Sequence, residues 1–201
     1  MIPNPKPSNN TIRKGEDSQN NLTVLNDLII SYGNWPLQPL SPEGQLKIHS
    51  APFRGSFPSV LSEAVRSAGL GSRVMVTQLL KGGVGQGPDG VVKLCGRMEW
   101  LRPDISYCIN EKTLESKNKL ETDSINQVWQ ISKDRLLNGE LDQLVLDEVG
   151  LAISLGYIEE RALISALEQR PVAADVVLTG PSIPQSVMAL ADQVTVLRSG
   201  I

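Results

Sequence analysis

Residues 141–156 read LDQLVLDEVGLAISLG, and this stretch decides the fold. A branched run, Leu144-Val145-Leu146, stops at two adjacent carboxylates, Asp147 and Glu148, and a second apolar segment begins at once. An unbroken run of branched residues is the pattern of a strand buried on both faces, as in a parallel sheet. Its stop at two acids brings carboxylates to the carboxyl edge of the sheet, where open α/β sheets hold their ligands. In many nucleotide-binding sheets such an acid holds Mg²⁺ or its water. Asp147 and Glu148 are therefore candidate site residues, Asp147 also as a metal ligand.

Downstream of this stretch, Glu159–Leu167 turns Ala162, Leu163, Ala166 and Leu167 to one helical face. Asp175–Thr179 is a strand, Ser182 is placed to cap a short helix over Pro184–Ala191, and Asp192–Leu197 is a last strand. Upstream, Gln45–Ser50 is a strand that enters the loop APFRGSFPS. Ser59–Ala68 is a helix with Val60, Leu61, Ala64, Val65 and Ala68 inward, closed by Gly69. Ser72–Leu80 and Val91–Cys95 are strands, and the glycines of Gly82–Gly90 make a loop that a ligand can approach closely. Arg97–Asn110 shows no clean period. Glu111–Asn138 carries a long helix with Ile125, Val128, Trp129, Ser132 and Leu136 inward; its polar amino half, ESKNKLETD, is expected to fray or stand clear of the body. Strands alternating with helices over short joints define an α/β fold of three layers, a mostly parallel sheet with helices on both faces. The same alternation lines up Ser50–Ser59, Gln78–Gly83, Asp147–Glu148 and Thr179–Ser182 along one edge.

The 201 residues, 40% hydrophobic, suffice for one domain of ordinary size, expected over 45–201. Residues 1–21 are poor in apolar side chains and read as a disordered tail. Residues 22–44 read as a short helix, with Val24, Leu25, Leu28 and Ile29 on one face, and a proline-rich linker holding Trp35. A net charge of −3 without a basic block argues against nucleic acid. No apolar run approaches the ~20 residues of a membrane span, and the amino end has no secretory core. Cys95 and Cys108, outside CxxC spacing, read as the reduced thiols of a cytoplasmic protein. His49, the sole histidine, ends a strand on the ligand side, but without a partner it reads as structural.

The natural companion of Asp147 is a phosphate loop after the first strand. Such a loop needs glycines so that N–H groups converge on phosphate, a lysine for the β/γ oxygens, and a Ser or Thr hydroxyl on Mg²⁺. The chain offers Ala51-Pro52-Phe53-Arg54-Gly55-Ser56-Phe57-Pro58. Pro52 and Pro58 each remove a donor, Phe53 and Phe57 add bulk, and no lysine lies between Lys47 and Lys81. Arg54, Gly55, Ser56 and Lys81, with the two acids, are the residues left to bind a nucleotide if one binds.

These motifs, taken in order, resemble the ATP:corrinoid adenosyltransferases of the BtuR/CobO type. Leu141–Ile158 is similar to that family's strand with an acidic pair, Arg170–Gly180 to its RP…VVLTG segment, and Ala191–Leu197 to its AD-x-VTE-x ending. Val65–Gly82 is similar to its LRAAGHG…V…QFLKG segment, and Trp100 to the tryptophan of its GFTW-like loop. The resemblance implies a P-loop NTPase-like (RecA-like) fold in a cytosolic, often dimeric enzyme. Such an enzyme uses ATP, Mg²⁺ and a reduced corrinoid, moves the adenosyl group to cobalt and releases triphosphate. The family's GNGKGKTTAA loop falls on Ala51–Val60: its essential lysine meets Ser56 and its Mg²⁺-binding threonine meets Phe57. Its TGR arginine meets Pro181, the glutamate of its VTE meets Val196, and Arg97-Met98-Glu99 replace Gly-Phe-Thr, while Arg66, Gln78, Lys81, Asp147 and Glu148 remain. Each loss removes phosphate charge compensation or backbone donors. The expectation is a degenerate Walker A loop in a pseudoenzyme that needs no cofactor, a binding or regulatory protein. The alternatives are an active adenosyltransferase with a rebuilt phosphate site and a structural subunit of a larger assembly. A homodimer or other protein partner and a corrinoid are the partners implied.

Overall fold

A computed structural model describes residues 42–55, 57–109 and 118–198. The expected tail, the helix over Thr23–Gly33 and most of the proline linker with Trp35 lie outside the described residues, as does Ser56.

The strands are β1 (Leu46–Ser50), β2 (Val74–Gln78), β3 (Val92–Leu94), β4 (Met98–Leu101), β5 (Gln143–Asp147), β6 (Asp175–Gly180) and β7 (Gln193–Val196). They form one sheet in the order β3-β4-β2-β5-β6-β1-β7. Every pairing is parallel except that of the edge strand β3, which runs antiparallel to β4. β6 lies between the loop strand β1 and the acid-bearing β5, the RecA-like order of a P-loop NTPase-like fold. Register brings Gln78, Asp147 and Thr179 side by side, and Thr179 beside His49.

Alternate residues of the central strands feed two cores. Leu46, Ile48, Met75, Leu144, Leu146, Val176 and Leu178 face one layer of helices: α2 (Lys119–Leu137), α3 (Val149–Ser154), α4 (Glu160–Glu168) and α5 (Gln185–Met188). Val74, Val76, Met98, Val145 and Val177 face α1 (Pro58–Gly69), which contributes Val60, Ala64 and Ala68 at steps of four. Both faces of β5 are therefore buried, as its branched run requires. Each such side chain taken fully out of water contributes roughly 1.5–3 kcal/mol. No described helix is long and apolar enough to cross a membrane.

Several local expectations are corrected. Arg97–Asn110 contains β4, whose four residues are too few to show a period and which forms through its pairing with β2. α1 includes Gly69; the left-handed residue after it is Gly71, at φ 104°. Ser182 caps nothing: Pro184 is the cap residue of α5, and Ser182 instead adopts φ 60°. Residues 115–117 of the stretch ESKNKLETD lie outside the described residues, and from Asn118 on the stretch does not stand clear. Asn118 accepts the Glu121 N–H at 2.7 Å, and the buried Glu121 carboxylate accepts the hydroxyls of Tyr107, at 2.6 Å, and Tyr157. That carboxylate ties the segment after β4 to α2 and to the turn before α4.

Candidate functional site

Asp147 ends β5, and Glu148 follows in a left-handed conformation, φ 62° and ψ 27°, at the amino end of α3. Two glycines let the neighbouring loop close over this turn. A Cβ on Gly150 would lie 2.5 Å from the Ile183 nitrogen and 2.6 Å from the Pro181 oxygen. Gly180, at φ 113°, would place one 2.9 Å from the Glu148 Cα. Only glycine permits such approach of backbone to backbone. The Glu148 N–H donates to the Thr179 carbonyl at 2.9 Å and fixes the turn.

Both acids are buried, Asp147 at 4% and Glu148 at 1% exposure, so neither is a solvated cap; Glu148 occupies the cap position of α3 without a side-chain cap bond. Every carboxylate oxygen has a donor. Asp147 Oδ1 accepts from Thr179 Oγ1 at 2.7 Å, and Oδ2 accepts from Gln78 Nε2 and Lys81 Nζ, each at 2.7 Å. Glu148 Oε1 accepts from Arg54 Nε at 3.0 Å and Oε2 from Arg54 Nη2 at 2.5 Å, a bidentate fork. Lys81 Nζ stands 4.0 Å from Glu148 Oε1. Arg54 also donates from Nη1 to the Ile109 carbonyl. Its hydrogen bonds to Glu148 raise the guanidinium's pKa further above its ordinary value. Beyond Asp147, Gln78 Oε1 accepts from Trp100 Nε1 at 3.0 Å and from Arg102 Nε at 2.8 Å. Two buried negative charges thus meet two of the chain's own cations.

As positioned here, this donor set is turned to the chain's own side chains and not to a Mg²⁺ ion. The ion demands six oxygens in a near-ideal octahedron, and here each carboxylate oxygen is already engaged by a side chain. Among the described residues no three of His, Cys, Asp and Glu converge as metal ligands. The carboxyl end of the loop after β1 is packed into the core. Phe57 is 6% exposed and packs with Ala51, Val60, Ala64 and Val177, directly before α1. Pro58 is the first residue of that helix and brings no N–H. Phe53, expected to add bulk where an anion would need space, is 50% exposed. Arg66 sits exposed in the last turn of α1, away from the carboxyl edge.

Sequence reasoning found Arg54, Gly55, Lys81, Asp147 and Glu148 as separate candidates, and the structure joins all but Gly55 in one ion-pair cluster. It missed Thr179, Arg102 and the Ile109 carbonyl as parts of the cluster. Thr179 was detectable as the in-register neighbour of Asp147, whereas the other two come from a stretch without a period.

His49 is half-buried, its ring centroid 5.8 Å from that of Phe57. Burial holds its pKa below 6.5, against a smaller opposite pull from Glu63. A histidine with a depressed folded pKa contributes stability above its unfolded pKa, and that contribution is lost as pH falls through the folded one. The thermal midpoint is therefore expected to decline as pH drops below about 6.5. His49→Gln should flatten that decline; an unchanged pH profile would remove His49 from this account.

An open, mostly parallel α/β sheet with an acidic pair at the carboxyl end of a buried strand, reached by the loop after β1, defines the class of P-loop NTPase-like proteins. Within that class, the family model described as ATP:corrinoid adenosyltransferase BtuR/CobO/CobP matches residues 43–200. The chain belongs to this family. It is 29% identical over 162 residues to the corrinoid adenosyltransferase CobA of Salmonella typhimurium, covering 80% of each chain. It is 26% identical over 161 residues to the corrinoid adenosyltransferase of Escherichia coli K12, again 80% of each. To that of Pseudomonas aeruginosa it is 25% identical over 161 residues, 79% of this chain and 76% of the relative.

Proposed function

We propose that this chain is a non-catalytic member of the adenosyltransferase family, a binding or regulatory protein that does not take ATP and Mg²⁺ in the family's manner. The observation that carries this reading is that each oxygen of Asp147 and Glu148 accepts a hydrogen bond from Arg54, Lys81, Gln78 or Thr179. Phosphate binding at a strand–helix turn rests on converging backbone donors, positive charge and a helix amino terminus open to the anion. Here a buried phenylalanine and a proline stand at that terminus. The cations that remain, Arg54 and Lys81, already neutralise acids of the chain itself. A nucleotide would have to displace them and leave two buried carboxylates to be compensated by new metal ligation.

Calorimetric titration of the full chain with ATP and Mg²⁺ is expected to give no binding in the micromolar range. Micromolar binding that disappears in Asp147→Asn would refute the proposal and favour the active enzyme with a rebuilt site. That enzyme would also form adenosylated corrinoid from the cobalt(I) form under strict reduction.

A further inference from the structure

At the edge of the ion-pair cluster, joined to it through Gln78 and Arg102, lies a cleft whose lining residues carry no part of the proposal above. Trp100, in β4, and Arg102, just after it, line this cleft of about 240 Å³ together with Gln86 and Val92. The Arg102 guanidinium carbon stands over the Trp100 ring, 5.5 Å from its centroid. The Arg102 Nε is spent on Gln78 Oε1, but its two terminal nitrogens make no hydrogen bond or ion pair among the described residues. Trp100 Nε1 bonds the same Gln78 oxygen, so one amide holds both the indole and the guanidinium in place. That amide is buried and is itself held by Asp147. The Arg102 carbonyl accepts the Gly87 N–H at 2.9 Å, which seats the glycine-rich loop carrying Gln86 against the same strand end.

We propose that this cleft binds a planar ring bearing a carboxylate. The guanidinium offers two uncommitted nitrogens to an anion, in the fork geometry that suits carboxylate. The face of the guanidinium turned away from Trp100 and the uncovered part of the indole suit a flat apolar body, and Val92 adds an apolar wall. Pre-positioning by Gln78 reduces the side-chain ordering cost of binding. Size sets a limit: ligand pockets commonly run from about 300 to 1,000 Å³, so this cleft takes one or two fused rings and not a whole nucleotide. The inference goes beyond the proposed function and does not depend on it, because the hydrogen bonds to Asp147 and Glu148 come from Arg54, Gln78, Lys81 and Thr179 and not from Gln86, Val92, Trp100 or Arg102.

Naphthalene-2-carboxylate is a suitable probe, with naphthalene-2-carboxamide as its neutral counterpart. The full chain is labelled at its indole N–H groups and followed by NMR, the Trp100 signal being assigned by its absence in Trp100→Phe. The carboxylate is expected to bind at sub-millimolar concentration and to move the Trp100 signal, and the carboxamide to bind at least tenfold more weakly. Arg102→Gln should weaken the carboxylate about tenfold while leaving the carboxamide unchanged, and Arg102→Lys should restore only part of the loss. Thermal midpoints of both variants report whether the fold is kept, and Arg102→Lys serves if Arg102→Gln unfolds. Equal affinity for carboxylate and carboxamide, no carboxylate binding at millimolar concentration, or an unmoved Trp100 signal would each overturn the proposal. None of these results bears on the titration with ATP.

Discussion

Phe57→Ala is expected to destabilise the fold by about 3–5 kcal/mol, the usual cost of removing a buried aromatic side chain and leaving a cavity. At about 2–4 °C per kcal/mol for a domain of this size, the thermal midpoint should fall by roughly 10 °C. Phe53→Ala, four residues away, should change stability by less than about 0.5 kcal/mol, because half of that side chain is already in water. The contrast separates two accounts of the loop. A phosphate loop is kept open by its ligand's requirements: small residues, free N–H groups and space for an anion. The loop after β1 is instead held by packing, with Phe57 pressed among Ala51, Val60, Ala64 and Val177 under α1. Urea denaturation with an unchanged slope would measure the difference. Equal effects of the two substitutions would mean that Phe57 is not what closes the loop.

How much of this was legible beforehand depends on the range of the interaction concerned. β5 was readable because a branched run ending at Asp147 and Glu148 is a local pattern, and the inner face of α2 because Ile125, Val128, Trp129, Ser132 and Leu136 repeat at helical steps. β4 was not readable, since four residues carry no period and its partner β2 lies 24 positions upstream in register. The burial of Glu121 ran against its polar neighbours in sequence. It rests on Tyr107 and Tyr157, 14 and 36 positions away, whose hydroxyls make a carboxylate acceptable in the interior. The losses in Ala51–Pro58 could be counted from the sequence, but not what had taken their place. That Arg54 turns back onto Glu148, 94 positions away, is a matter of tertiary geometry alone. So is the exposure of Phe53, whose bulk was expected where an anion would need space.

Arg54→Met is the second substitution with a large expected effect, and it tests what the arginine replaces. Breaking a buried ion pair by removing one partner costs about 3–5 kcal/mol. Here about 2–3 kcal/mol is expected, because the Arg54 side chain is 32% exposed and Lys81 stands near enough to relieve Glu148 in part. Removing both partners, as in Arg54→Met with Glu148→Met, should cost less than Arg54→Met alone, since no uncompensated charge is then left inside. A double-mutant cycle should return a coupling of more than about 1 kcal/mol. In the Arg54→Met variant the two Glu148 oxygens lose their donors next to Asp147, and a divalent cation can then supply the missing positive charge. Mg²⁺ at ten times its dissociation constant should therefore recover about 1.4 kcal/mol in that variant. It should recover nothing in the unaltered chain, where the guanidinium already occupies both oxygens. If Mg²⁺ stabilised both proteins alike, the acids would be a working metal site and the arginine a bystander. If it stabilised only the variant, one side chain would hold the place of the cation, and the acidic pair would persist because burial leaves it no other charge to answer to.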